Sequence, residues 1–189
     1  MPRLLLVRHA TSVRPVPGGP DEHERPLSPL GVQQAEDLAA VLLAESPDRV
    51  ISSPYLRSVQ TVLPTARALG LQVETRDALR EWNAGIDATP GWEPHYRQCW
   101  RSPAWVVPGG ETHAALEQRA VAAMRKVAAQ SPEASVVILG SHGTWIARAL
   151  LGLGHPVDED AWLGMPMPAV FEVEFKGQRL ELRALGAGI

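Results

Sequence analysis

Two short apolar runs in this chain each lead into a histidine. Residues 4–7 read Leu-Leu-Leu-Val and are followed at once by Arg8 and His9, and residues 136–139 read Val-Val-Ile-Leu and lead through a Gly-Ser pair to His142. A continuous apolar run of this length predicts a buried strand. Ligands bind beyond the carboxyl ends of parallel strands, so both histidines are expected to project into one crevice. One such histidine would fit an ordinary strand end, whereas the pair favours a functional site.

Helical patterns separate the predicted strands. Ser28 is a good N-cap and Pro29 suits the first helical position, which predicts a helix over residues 29–44. Thr112 is placed to cap another helix that reaches about residue 130, with its small and apolar side chains facing inward.

A third helical pattern spans residues 55–69 and contains Pro64, so we expect a kink or two shorter helices there. Strands that alternate with helices imply an α/β fold with three layers, α/β/α, around a mostly parallel central sheet. Residues 1–189 are expected to form a single domain. The other predicted strands are at 50–52, 71–75, 169–175 and 179–185, the last two joined by a turn at 176–178. A short helix is predicted at 143–151, a surface loop at 15–26 and a segment of little periodicity at 79–107.

Composition limits the classes of partner. The formal net charge of -3 argues against nucleic acid, which is usually bound by a basic surface. No apolar run approaches the length of a membrane span. The single cysteine, Cys99, cannot form an internal disulfide, as expected in a reducing cytosol. We therefore expect a soluble, cytoplasmic protein with no membrane partner, and a homodimer is left open.

Two further residues carry charge close to predicted strand ends. Arg57 lies just after the strand at 50–52, and Glu81 lies beside an apolar residue at the start of the irregular segment. Burial would raise the pKa of such a carboxyl and suit it to proton donation. On local context alone either residue also fits an ordinary surface position, and for Glu81 that reading is the better one.

The motifs together resemble the histidine phosphatase superfamily, which includes the cofactor-dependent phosphoglycerate mutases. The resemblance extends over most of the chain, and its strength lies in the order of the motifs rather than in any one of them. They are LVRH at 6–9, LSPLGVQQA at 27–35, SSPYLRSVQT at 52–61, LRE at 79–81, GET at 110–112 and SHG at 141–143.

The resemblance implies a phosphoglycerate mutase-like fold and a metal-independent phosphatase that hydrolyses phosphate monoesters of small metabolites. His9 would be the nucleophile that accepts the phosphoryl group. Arg8, Arg57 and a protonated His142, with Gly143 at the start of the following helix, would hold its oxygens. Glu81 would protonate the leaving oxygen and then act as base for the attacking water.

Zinc is the rival interpretation of two neighbouring histidines. Metal sites usually add carboxylate or thiolate ligands, whereas His9 stands beside arginine and His142 beside glycine. We therefore expect neither a metal nor another cofactor.

The chain departs from the family pattern in three places. Ala10 follows the Arg-His pair where the family usually has Gly, and its methyl group is acceptable unless the backbone there needs a positive φ. Pro15 stands where the mutases commonly carry Asn, and residues 85–107 are short for a mutase insertion and contain no lysine. The last two features favour a phosphatase over a mutase. The alternatives left open are mutase-type phosphoryl transfer and a catalytically weakened phosphate-binding protein.

Substrate choice is expected to lie in the two long loops. The candidates for substrate contact are Ser12, Arg14, Trp82 and Arg97. The remaining tryptophans of the irregular segment fit a pocket wall and simple packing equally well.

Overall fold

The computed structural model describes residues 1–16, 19–86, 91–176 and 179–185. Its centre is a six-stranded sheet in the order β3-β2-β4-β1-β5-β6. Strands β1 to β4 run parallel to one another, β5 runs antiparallel to β1, and β6 runs antiparallel to β5. This confirms the α/β fold with a mostly parallel sheet. The strands are β1 (Arg3–Arg8), β2 (Arg49–Ser52), β3 (Val73–Thr75), β4 (Val136–Ser141), β5 (Ala169–Lys176) and β6 (Arg179–Ala184).

Six α-helices connect and cover these strands in the described part of the chain. Both predicted N-caps are confirmed. The Ser28 hydroxyl oxygen accepts from the amide of Gly31 at 3.1 Å, and the Thr112 hydroxyl oxygen accepts from the amide of Ala115 at 3.0 Å. The helices are α1 (Pro29–Ala44), α2 (Leu56–Ala68), α3 (Glu93–Arg101), α4 (His113–Gln130), α5 (Gly143–Gly152) and α6 (Glu159–Gly164).

Alternate residues of β1 face opposite layers, as strand geometry requires. Leu5 and Val7 pack in a cluster with Leu38 of α1 and Val62 of α2. Leu4 and Leu6 belong to a second cluster on the other face, built largely from α4 and α5. Both faces of the central strand are therefore buried, and the three-layer arrangement is confirmed.

Two sequence expectations are wrong. Helix α2 continues through Pro64, so the alternative of two shorter helices is wrong; Val62 and Ala66 on either side of the proline are fully buried in the core cluster and hold the helix in place. The segment at 79–107 contains α3, a helix of nine residues whose apolar side consists of Tyr96, Cys99 and Trp100, and three positions are too few for a sustained helical pattern.

The short helix α6 was not predicted. Its N-terminus is capped by the Asp158 carboxylate, which accepts from the amide of Ala161 at 2.7 Å. Parts of the predicted loops and of the turn, at 17–18, 87–90 and 177–178, lie outside the described residues. Among the described residues no helix is both long and apolar enough to cross a membrane.

Gly31 supplies a stability test, because α1 lies directly against the segment that follows β1. A Cβ at Gly31 would lie 1.9 Å from the carbonyl oxygen of Thr11. We expect Gly31→Ala to lower the free energy of unfolding by about 1–3 kcal/mol through overpacking, measured by urea denaturation. Gly164→Ala is the matched control, because nothing lies within 4 Å of its added Cβ. Equal midpoints for the two variants would contradict the close approach.

Candidate active site

The pairing of β1 with β4 brings the two histidines together. The register aligns Arg8 with Ser141, and the amide of His9 continues the ladder by donating to the Ser141 carbonyl at 3.1 Å. The rings of His9 and His142 lie edge to face with their centroids 5.2 Å apart. Both histidines therefore lie at the carboxyl ends of two neighbouring parallel strands, as the strand pattern predicted.

His9 is held in one orientation by contacts on both ring nitrogens. Its Nδ1 lies 2.7 Å from the carbonyl oxygen of Ala10, which can only accept, so Nδ1 carries the proton. The Nε of Arg57 donates to His9 Nε2 at 3.2 Å, as expected for a nitrogen with a free lone pair. Burial, with the charges of Arg57 and Arg8, holds the pKa of His9 well below its ordinary value. His9 is thus neutral at neutral pH.

Two guanidinium groups lie near His9, that of Arg57 buried and that of Arg8 partly buried. Arg57 is 2% exposed, and its terminal nitrogens contact the carbonyl oxygen of Glu22 at 2.6 Å and the Glu22 carboxylate at 3.0 Å. Arg8 donates to the carbonyl oxygen of Met165, while its Nε is buried without a hydrogen-bond partner. The site therefore holds two fixed cations and an unsatisfied donor.

His142 presents a second unsatisfied nitrogen. Its Nε2 lies 2.8 Å from the Ser53 hydroxyl, and its Nδ1 is buried without a partner. The Ser53 oxygen accepts from the Tyr55 amide at 3.3 Å and can donate its own hydrogen to Nε2, which leaves the proton on Nδ1. Burial and the charge of Arg57 hold the pKa of His142 well below its usual range. With its proton on Nδ1, neutral His142 offers a donor into the site, and the protonated form expected from the sequence stays a prediction.

Gly143 begins α5 directly after His142. A Cβ at this position would lie 3.1 Å from both Cζ and Nε of Arg8, so the glycine lets the guanidinium approach the helix start. Backbone amides at a helix N-terminus favour an anion.

Glu81 reaches the same helix start. Its carboxylate accepts from the backbone amides of Trp82 at 2.9 Å, Trp145 at 3.1 Å and Thr144 at 3.4 Å. Burial raises the pKa of Glu81 and outweighs the opposing effects of these amides and of Arg57 and Arg8. A carboxyl with a raised pKa near the charges of Arg57 and Arg8 is suited to give and take a proton.

Ala10 does not adopt a positive φ, so the usual glycine is not required by the backbone here. Its methyl group is fully buried in a small cluster with Leu27 and Ala35. Its amide donates to the Thr61 hydroxyl at 3.0 Å. The substitution nearest to His9 is thus accommodated by packing.

The candidate substrate residues have different surroundings. Ser12 accepts from Arg25, and Arg14 is exposed without an ion pair among the described residues. Trp82 is buried and donates from its indole to the Glu111 carbonyl at 2.6 Å. Arg97 is engaged by the carboxylate of Glu159.

Sequence reasoning gave no role to three residues close to the site. Glu22 lies near enough to bind Arg57, and its carboxylate also holds Arg25 at 2.8 Å. Tyr55 places its ring 5.0 Å from that of His142 and 4.9 Å from the Arg57 guanidinium. Tyr96 on α3 packs against Trp82 with ring centroids 4.9 Å apart. Tyr55 lies inside the motif at 52–61, which could have drawn attention to it, whereas no local pattern singles out Glu22 or Tyr96.

A metal centre finds no support in the described ranges, which contain no group of three or more His, Cys, Asp or Glu side chains able to hold an ion.

Comparisons with known proteins agree on one family. The model of the histidine phosphatase superfamily (branch 1) matches residues 4–187. A glucosyl-3-phosphoglycerate phosphatase of Mycolicibacterium vanbaalenii is 30% identical over 182 residues, which cover 86% of this chain and 79% of that protein. A probable phosphoglycerate mutase of Yersinia enterocolitica is 32% identical over 169 residues, which cover 81% of this chain and 76% of that protein.

Solved structures agree with these matches. A mycobacterial glucosyl-3-phosphoglycerate phosphatase in complex with inorganic phosphate is 25% identical, has a TM-score of 0.79 and covers 98% of this chain and 97% of its own. A phosphoserine phosphatase of Entamoeba histolytica, in complex with 3-phosphoglyceric acid, has a TM-score of 0.79 at 19% identity, covers 99% of this chain and 98% of its own, and shows the shared fold.

The buried histidines predict a stability that falls with acid. Burial lowers the pKa of His9 and of His142, and it lowers that of His113 to about 3. Below about pH 6.5 the unfolded chain therefore takes up protons that the folded chain does not. We expect the free energy of unfolding to drop between pH 7 and pH 5 by up to about 1.4 kcal/mol per pH unit for each histidine.

Urea denaturation at several pH values measures this loss. The lowered carboxyl pKa values lie below about pH 4.5 and outside this window, whereas the raised pKa of Glu81 makes the folded chain take up a proton above that pH and opposes the loss. His113→Phe leaves Glu81 in place and keeps an aromatic ring among the surrounding tryptophans, so it should make the dependence shallower. Equal pH slopes for wild type and His113→Phe would show that His113 titrates normally.

Proposed function

Because the chain belongs to the histidine phosphatase superfamily, we propose that it is a phosphoric monoester hydrolase acting through a phosphohistidine on His9. The observation that carries the proposal is the fixed tautomer of His9. Its Nδ1 proton is committed to the Ala10 carbonyl, and its Nε2 lone pair faces the buried donors of Arg57. A neutral imidazole held in this way is ready to attack once an anion draws the Arg57 hydrogen bond away.

The first step transfers the phosphoryl group to His9. The Nε2 lone pair forms the bond to phosphorus as the bond to the alcohol oxygen breaks. The proton of Glu81 passes to that oxygen, so the product leaves as a neutral alcohol. Arg8 and Arg57, the Nδ1 proton of His142 and the amide of Gly143 would hold the three phosphoryl oxygens while charge builds on them.

The second step returns His9 to its starting state. The carboxylate of Glu81 takes a proton from water, whose oxygen attacks phosphorus, and the bond to Nε2 breaks to release inorganic phosphate. Dividing one difficult displacement into two easier ones is the advantage of a covalent intermediate. The raised pKa of Glu81 suits both its roles.

The relatives support hydrolysis as the reaction type, since the first of them is named a phosphatase. Phosphoryl transfer of the mutase type would instead return the group to a second hydroxyl of the bound molecule. Interconversion of 2- and 3-phosphoglycerate faster than phosphate release would assign the chain to that reaction.

Removing the nucleophile gives the first test. We expect His9→Ala to reduce hydrolysis of p-nitrophenyl phosphate by roughly 10³-fold or more, because a deleted nucleophile removes the covalent path. The wild-type rate should be unchanged by EDTA. Radiolabelled substrate should leave acid-labile label on the wild-type protein and none on the variant. His155→Ala, a substitution outside the site, is the matched control. Equal rates for wild type and His9→Ala, or loss of activity with EDTA, would refute the mechanism.

A second test separates the two roles of Glu81. p-Nitrophenolate leaves without protonation, so Glu81→Gln should form the phosphoenzyme quickly from p-nitrophenyl phosphate and hydrolyse it slowly. Rapid mixing should then show a burst of nitrophenol. With an alkyl phosphate the leaving oxygen needs the proton, and both steps should slow by about 10²–10⁴-fold with no burst. Equal losses on both esters, without a burst, would remove Glu81 from proton transfer.

A further inference from the structure

The turn at residues 21–25 is docked against Arg57 through its backbone. The carbonyl oxygen of Glu22 accepts from Arg57 Nη1 at 2.6 Å, and the amide of Leu56 donates to the carbonyl of His23 at 2.8 Å. Neither bond involves the side chain of Glu22. The turn and Arg57 therefore stay in contact whichever way that side chain points.

The Glu22 carboxylate makes a separate contact, on the edge of the Arg57 guanidinium that faces His9. Nε and Nη2 form this edge, and it can grip two oxygens of one anion. Nε donates to His9 Nε2 at 3.2 Å, and Nη2 lies 3.0 Å from Oε2 of Glu22. A phosphoryl group at His9 Nε2 would need the same two donors. The carboxylate therefore holds a position that a phosphoryl oxygen would take.

Arg25 presents the carboxylate to Arg57. Its Nε and Nη2 donate to the two carboxylate oxygens of Glu22 at 2.9 Å and 2.8 Å, and its Nη1 donates to the Ser12 hydroxyl and the Val13 carbonyl. Oε2 of Glu22 thus lies between two guanidinium groups. The Glu22 side chain is nevertheless 48% exposed, so it can turn out to solvent.

We propose that Glu22 competes with the phosphoryl group for Arg57. The side chain swings out when a phosphate ester binds and returns after hydrolysis to displace inorganic phosphate. A phosphate dianion carries more charge than a carboxylate and displaces it when present at sufficient concentration, since an ion pair with a half-exposed partner is weak. Glu22 thereby weakens the product complex that a hydrolase has to break. This inference rests on the proposed phosphatase activity.

Removal of the charge alone tests the competition. Glu22→Gln keeps the size of the side chain, and we expect it to lower the Kd of inorganic phosphate, measured by titration calorimetry, by about 10-fold. The inhibition constant of phosphate against p-nitrophenyl phosphate should fall in parallel, together with KM, and kcat should not rise. Unchanged or weaker phosphate binding in this variant would overturn the inference.

Glu24→Gln is the matched control. It removes the same charge from the same turn, and the exposed Glu24 makes no ion pair in the part of the chain that the structure describes. We expect its Kd for phosphate to equal that of the wild type. Equal tightening in Glu22→Gln and Glu24→Gln would reduce the effect to net charge and overturn the assignment of Glu22.

Glu22→Ala separates competition from a purely positional role. A carboxylate that only holds Arg57 in place predicts weaker phosphate binding in Glu22→Ala and recovery in Glu22→Gln, which can still accept a hydrogen bond. Competition predicts tighter binding in both variants. Thermal unfolding checks that both remain folded, as expected for a half-exposed side chain.

Calorimetry needs no turnover, so the two proposals fail separately. Hydrolysis that depends on His9, with equal phosphate binding in wild type and Glu22→Gln, would overturn the competition and leave the phosphatase proposal standing. Tighter phosphate binding in Glu22→Gln, with no hydrolysis of any ester that depends on His9, would support the competition for Arg57 and refute the proposed function.

Discussion

The parallel pairing of β1 with β4 is the constraint on which the site depends. One backbone hydrogen bond, from the amide of His9 to the carbonyl of Ser141, extends that ladder past the end of β1. It fixes the chain on both strands at the point where each turns away from the sheet, so that His9 and His142 emerge side by side. A slip of the register would separate them and turn the alternate apolar residues of β1 to the wrong layer, where both faces are already packed. The hydrophobic core therefore specifies the spacing of the two histidines.

The same burial sets the electrostatics of the site. Arg57 is enclosed by His9, Tyr55 and Glu22, and the carboxylate of Glu22, with which it pairs, is half exposed. Arg8 donates to a backbone carbonyl and makes no ion pair with a carboxylate in the described part of the chain. The two guanidinium groups therefore retain much of their positive charge, and burial, reinforced by this charge, holds the pKa of both neighbouring histidines well below the ordinary value. A dianion of the kind proposed above would give Arg8 Nε and His142 Nδ1 the hydrogen-bond partners that they lack among the described residues.

Much of this arrangement could be predicted from sequence because it is encoded locally. The strand ends before His9 and His142, and the caps at Ser28 and Thr112, follow from runs of a few residues. Helix α3 could not be predicted in the same way, because its apolar side serves a cluster formed with distant tryptophans. The contact of Glu22 with Arg57 likewise depends on how a loop folds back over 35 residues of chain, which no local pattern records.

The surroundings of Ala10 hold His9, the proposed nucleophile, in place. The Ala10 carbonyl orients His9, so any drift of this residue would release the imidazole. Its methyl group anchors it against Leu27 and Ala35, and the next carbonyl, that of Thr11, accepts from both the amide and the hydroxyl of Ser28. A glycine would lack the first of these anchors. The methyl group therefore adds to the rigidity of the segment that fixes the tautomer, and the change that resembles a loss of the family motif is compatible with a catalytic site that retains its geometry.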